Sequence, residues 1–447
     1  MRISVIGCGY LGAVHAVCMA DIGHDVVGLD VDDLRVASLA AGVAPFHEPG
    51  LPEMLSRNVA AGRLRFTTDA TLIADADLHF IAVGTPQLEG QLGADMRYVS
   101  AALDTVLAHA EDRPADRPAV VVGKSTVPVG TAQALAERIA ADGNNLILAW
   151  NPEFLREGYA VDDTLHPDRI VYGLPVDIPA GTAARKLLDE CYAPQVAAGT
   201  PVVVANYATA ELVKVAANSF LATKISFINS MAELCDATGG DVTRLAEAIG
   251  YDDRIGAKFL QAGIGFGGGC LPKDIRAFMA RAQELGVDEA LTFLREVDAI
   301  NLRRRHHAVQ LAESAVGGSL EGRNIAVLGI TFKPDTDDLR DSPALDIADQ
   351  LLGRGAHVVV VDPAAGAELR RRRPDLDVAD TVTEAVTGAD VVMVLTPWKE
   401  YVELDPAALL SLVATPTIID GRNVLDPHRW HDAGWNYHGM GRGVSTW

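Results

Sequence analysis

The first thirty residues place the tightest constraint on the fold. A short apolar run at 3–6 leads into Gly7-Cys8-Gly9-Tyr10-Leu11-Gly12. An alanine-rich stretch follows to about Gly23, and a second apolar run, DVVGLD, ends on Asp30. A GxGxxG spacing alone is a weak signal. Set between a strand and a helix, with an acid some twenty residues on, it predicts a βαβ unit that carries a dinucleotide on its turn. Gly7, Gly9 and Gly12 let the backbone turn tightly and approach a pyrophosphate, and free N–H groups at the helix start favour that anion. Asp30 is placed to accept hydrogen bonds from ribose hydroxyls and to repel a 2′-phosphate. This favours NAD over NADP, with nearby Arg35 as the one feature that would accommodate the extra phosphate.

Further strand-like runs extend the sheet: LHFIAVGTP at 78–86, AVVVGKSTVP at 119–128, LILAWNPE at 146–153 and RIVYG at 169–173. Their C-terminal ends carry Thr85, Ser125, Thr126 and Glu153, and ligands bind at that edge of an open parallel sheet. The pattern returns after residue 322. NIAVLG echoes RISVIG, AHVVVVD echoes HDVVGLD, and ADVVMVLTP echoes ADLHFIAVGTP. Gly329, however, is followed by ITFKPDTDDLRDSP instead of a second GxGxxG, so a repeated fold with a different ligand is expected. Lys333, Arg340 and Arg422 are candidates there for phosphates or a base.

Between these halves, TAELVKVAANSFLATKISFINSMAELCDATG runs about thirty residues without proline and closes on a glycine pair, which predicts one long helix. Lys214 and Asn218, four apart, share a face of it. A chain of 447 residues holds two to four domains at roughly 100–200 residues each. The expected fold class is α/β. A Rossmann-like, doubly wound domain at 1–205 and a second at 301–447 are joined by a central helical, dimerising domain at 206–300.

Composition narrows the partners. A net charge of −22 argues against nucleic acid. The chain opens on a strand-like run without a signal segment, and its longest apolar runs, such as HVVVV at 357–361, are strand-sized. No membrane association and a cytoplasmic location are expected. Five scattered cysteines without a CxxC speak against a disulfide framework or a metal site. Cys8, Cys18, Cys191 and Cys235 read as small buried hydrophobes.

Cys270 reads differently. It ends the run GIGFGGGC and precedes LPKDIRAFMARAQELG, whose proline suits a first helical turn. A helix start beside Lys273 and Lys214 favours the thiolate, and the glycines permit unusual backbone angles and close approach by a substrate. A nicotinamide cofactor with a thiol nucleophile fits oxidation past the aldehyde. The thiolate adds to the aldehyde, a thiohemiacetal gives up a second hydride, and the thioester needs water, a base and an oxyanion site. Asp274 is a reasonable base, and Lys214 and Asn218 are oxyanion candidates. A single-step alcohol dehydrogenase and a non-catalytic nucleotide-binding protein remain alternatives.

These blocks, with EPGL at 48–51, KSTVPVGT at 124–131, NPEFLREG at 151–158, FKPDTDDLRDSP at 332–343 and IIDGR at 418–422, resemble the UDP-glucose/GDP-mannose dehydrogenase family essentially end to end. The resemblance implies oxidation of UDP-glucose to UDP-glucuronate with two NAD+ through a thioester on Cys270. Lys214 and Asp274 would serve the oxyanion and the water, Asn218 would hold the reacting sugar end, and Glu153 with Thr126 would support proton transfer. It further implies NAD contacts at Gly9, Tyr10, Leu11, Asp30, Arg35, Thr85, Thr126, Glu157, Lys273 and Arg340. Glu153, Phe154, Leu155, Lys214, Asn218, Gln261, Gly265, Phe332, Lys333 and Arg422 match UDP-sugar contacts. Arg254 matches an arginine that reaches the partner subunit's site, which implies a homodimer or higher oligomer. Gln261 stands where some relatives carry lysine. The stretch around Cys270 is more similar to the UDP-glucose branch than to the GDP-mannose branch; GDP-mannose and UDP-N-acetylhexosamine oxidation by the same chemistry remain open.

Overall fold

The short apolar runs form the strands of two sheets in the computed structural model, which describes residues 1–114 and 116–443. The first sheet contains β1 (Arg2–Ile6), β2 (Asp25–Leu29), β3 (Leu64–Thr67), β4 (Leu78–Ile81), β5 (Ala119–Gly123), β6 (Leu146–Trp150), β7 (Ile170–Leu174) and β8 (Val202–Asn206). Their order is β3-β2-β1-β4-β5-β6-β7-β8. The first six follow the dinucleotide-binding order 3-2-1-4-5-6 and are parallel. At β6 the direction reverses: Trp150 pairs antiparallel with Gly173 of β7, and β8 then runs parallel to β7.

The second sheet repeats the plan. It contains β9 (Asn324–Leu328), β10 (His357–Val361), β11 (Asp377–Val378), β12 (Val391–Val394), β13 (Thr417–Asp420) and β14 (Asn436–Gly439), ordered β11-β10-β9-β12-β13-β14 and parallel throughout. Two units result. One comprises Met1–Ala217 with Arg276–Gly286, the other Asn218–Ile275 with the residues from Val287 on.

Both sheets are covered on both faces, which is why their strands read as unbroken apolar runs instead of alternating ones. Val120 and Val122 of β5 enter one core, and Val121 enters the other. In the second unit Val391 and Met393 face one core, while Val392 and Val394 face its opposite. The predicted long helix spans Tyr207–Thr238. A second long helix, Thr292–Ala315, is tied to it where Ser226 Oγ donates to the Val297 carbonyl at 2.7 Å. No described helix is long and apolar enough to cross a membrane.

Candidate active site

In the first unit the glycine turn leaves β1 at Gly7, with φ +90°, and its N–H donates to the Leu29 carbonyl at 2.8 Å. A Cβ at Gly7 would lie 2.6 Å from Val83 Cγ1, and one at Gly12 would fall on the Gly7 carbonyl. Gly9 is different: a Cβ there would meet open space. A side chain would therefore stand where an anion can approach the start of the helix Tyr10–Asp21, beside the β1/β4 switch point.

Asp30 is buried at the end of β2. Its Oδ2 accepts the Cys8 N–H at 2.6 Å, and its Oδ1 accepts the Asp32 N–H and the Arg35 guanidinium, both at 3.0 Å. The residues thus fit a dinucleotide: a bare turn for the pyrophosphate and a fixed carboxylate for the ribose. Arg35 is already committed to Asp30 and Asp32.

The ends of the next strands converge on proton-handling groups. Thr85 Oγ1 donates to the Thr126 carbonyl at 2.8 Å, joining the loops after β4 and β5. Lys214 Nζ pairs with Glu153 Oε1 at 2.9 Å, and the Leu155 N–H donates to Glu153 Oε2 at 2.6 Å. Phe154 lies under this ion pair, its ring 5.7 Å from Lys214 Nζ and 3.8 Å from the Arg169 guanidinium carbon. Below, buried Lys124 holds Asn151 Oδ1 at 3.0 Å, and Tyr192 donates to the same oxygen at 2.7 Å. Burial, the largest cause, pushes the Lys124 ammonium down to about 8, against a smaller upward pull from Glu153.

In the second unit Cys270 immediately precedes the helix Leu271–Glu284, and its carbonyl accepts the Asp274 N–H at 2.9 Å. It is the exposed cysteine; the other four are buried. Burial pushes the Cys18 and Cys191 thiols up to about 12 and raises Cys8 and Cys235, which keeps those four protonated. One turn on, Asp274 is buried, with Asn218 Nδ2 on one oxygen and Lys273 Nζ on the other, both at 2.7 Å. An exposed thiol at a helix start therefore stands one turn from a fixed, acceptor-rich carboxylate.

The glycines before Cys270 are packed by the chain itself. Gly268 has φ +85°, and a Cβ there would sit 2.8 Å from the Phe332 ring; at Gly269 it would sit 2.5 Å from the Arg340 guanidinium carbon. The Gly268 N–H donates to the Arg340 carbonyl at 3.0 Å. Bare backbone at these two positions is therefore explained by the loop at 332–340. Arg422 braces the same region from the end of β13, donating to the carbonyls of Gly265 at 2.7 Å, Leu395 at 2.8 Å and Phe332 at 3.3 Å. Burial and then the Arg305 charge lower its guanidinium to about 10, still charged near neutrality.

Lys333 Nζ lies 5.5 Å from the Phe332 ring centroid, and Arg340 pairs with Asp338 at 2.8 Å. Gln261 is exposed. Arg254 is exposed and pairs with Asp252 at 2.6 Å. Glu157 closes the loop that carries Glu153.

Two organising residues lacked a local signal. Asn301, wholly buried, accepts the Phe266 N–H at 2.7 Å and donates to its carbonyl at 2.9 Å, fixing the glycine run from 35 positions away. Glu211 accepts the N–H groups of Gly130 and Ala132, both at 2.7 Å.

The second sheet shows why its ligand differs. Gly329 repeats Gly7, with φ +87° and a bond to the Val361 carbonyl at 2.9 Å. Asp362 takes the place of Asp30, but its own chain fills it. Ile330 N–H at 2.8 Å and Trp398 Nε1–H at 3.3 Å bond one oxygen, and the N–H groups of Ala364 and Ala365 bond the other at 3.0 Å.

Comparison with known proteins agrees with this division. Residues 1–216 match the NAD binding domain of the UDP-glucose/GDP-mannose dehydrogenase family, residues 208–303 its central domain and residues 326–427 its UDP binding domain. The UDP-glucose 6-dehydrogenase of Rhizobium meliloti (strain 1021) is 43% identical over 446 residues, covering 99% of this chain and 100% of the relative. A UDP-glucose dehydrogenase structure from the hyperthermophilic archaeon Pyrobaculum islandicum superposes with a TM-score of 0.88 at 40% identity, covering 98% of this chain and 97% of the other. The UDP-D-ManNAc dehydrogenase of Pyrococcus horikoshii gives 0.85 at 28% identity, with 100% of each chain covered. The chain belongs to the UDP-glucose/GDP-mannose dehydrogenase family.

Proposed function

We propose that the protein oxidises UDP-glucose to UDP-glucuronate in two stages, through a thiohemiacetal and a thioester on Cys270. The observation that carries this reading is the exposed Cys270 thiol at a helix start, one turn from the Asn218–Asp274–Lys273 set. NAD+, when bound, supplies a hydride acceptor for each stage. The turn at Gly7–Gly12, with Tyr10, Leu11, Asp30, Arg35, Thr85, Thr126 and Glu157, would hold it; Lys273 and Arg340 are further candidates.

In the first stage C6 loses a hydride and its hydroxyl a proton, and Glu153, through water and with Thr126, receives that proton. The Cys270 thiolate then adds to the aldehyde carbon, and Lys214 and Asn218 stabilise the oxyanion. Loss of the second hydride leaves the thioester. Asp274 takes a proton from the attacking water, the C–S bond breaks, and the carboxylate leaves. The balance is one alcohol, two NAD+ and one water to one carboxylate, two NADH and three protons. Phe154, Leu155, Gln261, Gly265, Phe332, Lys333 and Arg422 would contact the nucleotide sugar.

A homodimer completes the proposal, with Arg254 reaching the partner subunit's site. Phe220, Phe227 and Leu234 recur every seven residues on the long helix and are 67%, 49% and 57% exposed, a stripe that a second copy would cover. Five free cysteines fit the cytoplasm. Counting NADH released per sugar nucleotide consumed tests the chemistry: two supports it, and one removes the acid-forming stage. A panel of UDP-glucose, UDP-N-acetyl sugars and GDP-mannose tests the substrate.

A further inference from the structure

Glu48 opens the EPGL stretch, far in sequence from every group used above. It is 2% exposed, and a buried carboxylate is strongly destabilising unless it is hydrogen-bonded. Two separate segments supply its donors. The Tyr10 hydroxyl, from the start of the dinucleotide turn's helix, bonds Oε2. From the end of the Glu153 loop, the Gly158 N–H bonds the same oxygen at 2.7 Å, while the Ala160 and Val161 N–H groups reach Oε1 at 2.7 and 3.4 Å. The Gly158 N–H also lies 3.1 Å from the Tyr10 oxygen.

Both partners are held on their far sides. The Phe46 ring lies 4.7 Å from that of Tyr10. Gly158 takes φ +79°, which turns the loop back toward Glu48, and Arg156 anchors the loop to Asp163 through its N–H at 2.8 Å. Behind Glu48, the helix Leu51–Ala60 buries Leu51, Met54 and Leu55 and gives the carboxylate a rigid base. Burial and the Glu48 carboxylate both raise the Tyr10 phenol, so it remains a donor.

We propose that Glu48 is a positioning residue for the cofactor: it couples the turn that bears Tyr10 to the loop that bears Glu153 and Glu157, so that dinucleotide affinity depends on a side chain that touches no ligand. The inference rests on the reading that NAD lies on the turn at 7–12. A buried carboxylate used only for stability would change the folding equilibrium and leave affinity alone. A coupling group changes affinity, and it does so together with Tyr10.

The test is calorimetric titration of NAD+, without sugar nucleotide, into the full-length parent, Glu48→Gln, Tyr10→Phe and the double variant, with a urea midpoint for each. A glutamine has one acceptor oxygen, so it sets its NH2 against either the Gly158 or the Ala160 N–H. The expected result is a Kd for NAD+ raised on the order of tenfold in Glu48→Gln, with Tyr10→Phe adding little in that background. Unchanged affinity in Glu48→Gln, with or without a lowered urea midpoint, overturns the proposal. So do two effects that simply multiply. Glu48→Asp is one methylene shorter and cannot span both segments, so it carries the same expectation where Glu48→Gln does not fold. Absence of NAD+ binding by the parent would instead sink the cofactor reading itself.

Discussion

Asn218 and Asp274, 56 positions apart, meet through an amide-to-carboxylate hydrogen bond of 2.7 Å. Lys273 holds the other carboxylate oxygen at the same distance. The bond orients the proposed base and removes one amide hydrogen from competition with substrate. Asn218→Ala leaves a buried carboxylate short of a donor. Urea denaturation is expected to show a loss of about 1.5–3 kcal/mol, and steady-state assays a fall in kcat on the order of a hundredfold. Parental kcat in a folded variant would remove Asn218 from the reaction.

Asp30 sets the cofactor preference through Arg35. With the guanidinium held at 3.0 Å, the carboxylate faces the ribose and the cation is neutralised. Asp30→Ala takes away the repulsion and releases Arg35 for a 2′-phosphate. The ratio of kcat/KM for NAD+ to that for NADP+ is expected to fall by roughly tenfold or more. An unchanged ratio would place the discrimination elsewhere.

Lys124 makes stability depend on pH in the alkaline range. Its ammonium is pushed down to about 8, mainly by burial, against an ordinary value of 10.5. Between these values the unfolded chain binds the proton and the folded chain does not, so this group favours folding increasingly as pH rises from 8 to 10.5. Below 8 both states are charged, and the full penalty of the buried charge remains. Relative to Lys124→Met, the parent is expected to gain on the order of 2 kcal/mol across that window in urea titrations. Parallel pH profiles for the two proteins would show that Lys124 titrates normally.

The sequence reported the local features and missed the long-range ones. The glycine turn, Asp30, the repeated second sheet and the helix start after Cys270 are each written within a few residues, in spacing that backbone geometry demands. The long helix was legible because thirty residues lack a breaker. β8 was not read as a strand: VVVAN runs straight into the helix with only Asn206 between. The glycines before Cys270 looked like room for a substrate, whereas Phe332 and Arg340 fill the space at Gly268 and Gly269. Glu48 and Asn301 bond groups far along the chain, and no periodicity encodes such partners. Glu48 did stand out in EPGL, because an acid before a Pro-Gly turn has no need of burial.

The most direct test of the central claim is the mass of the chain during turnover. Asp274→Asn is mixed with UDP-glucose and excess NAD+, quenched in acid within seconds, and weighed intact and after proteolysis. A covalent mechanism requires a nucleotide-sugar acyl group on the peptide containing Cys270, absent when NAD+ is withheld and absent in a Cys270→Ser control. A variant that releases NADH while Cys270 stays unmodified at every quench time would contradict it.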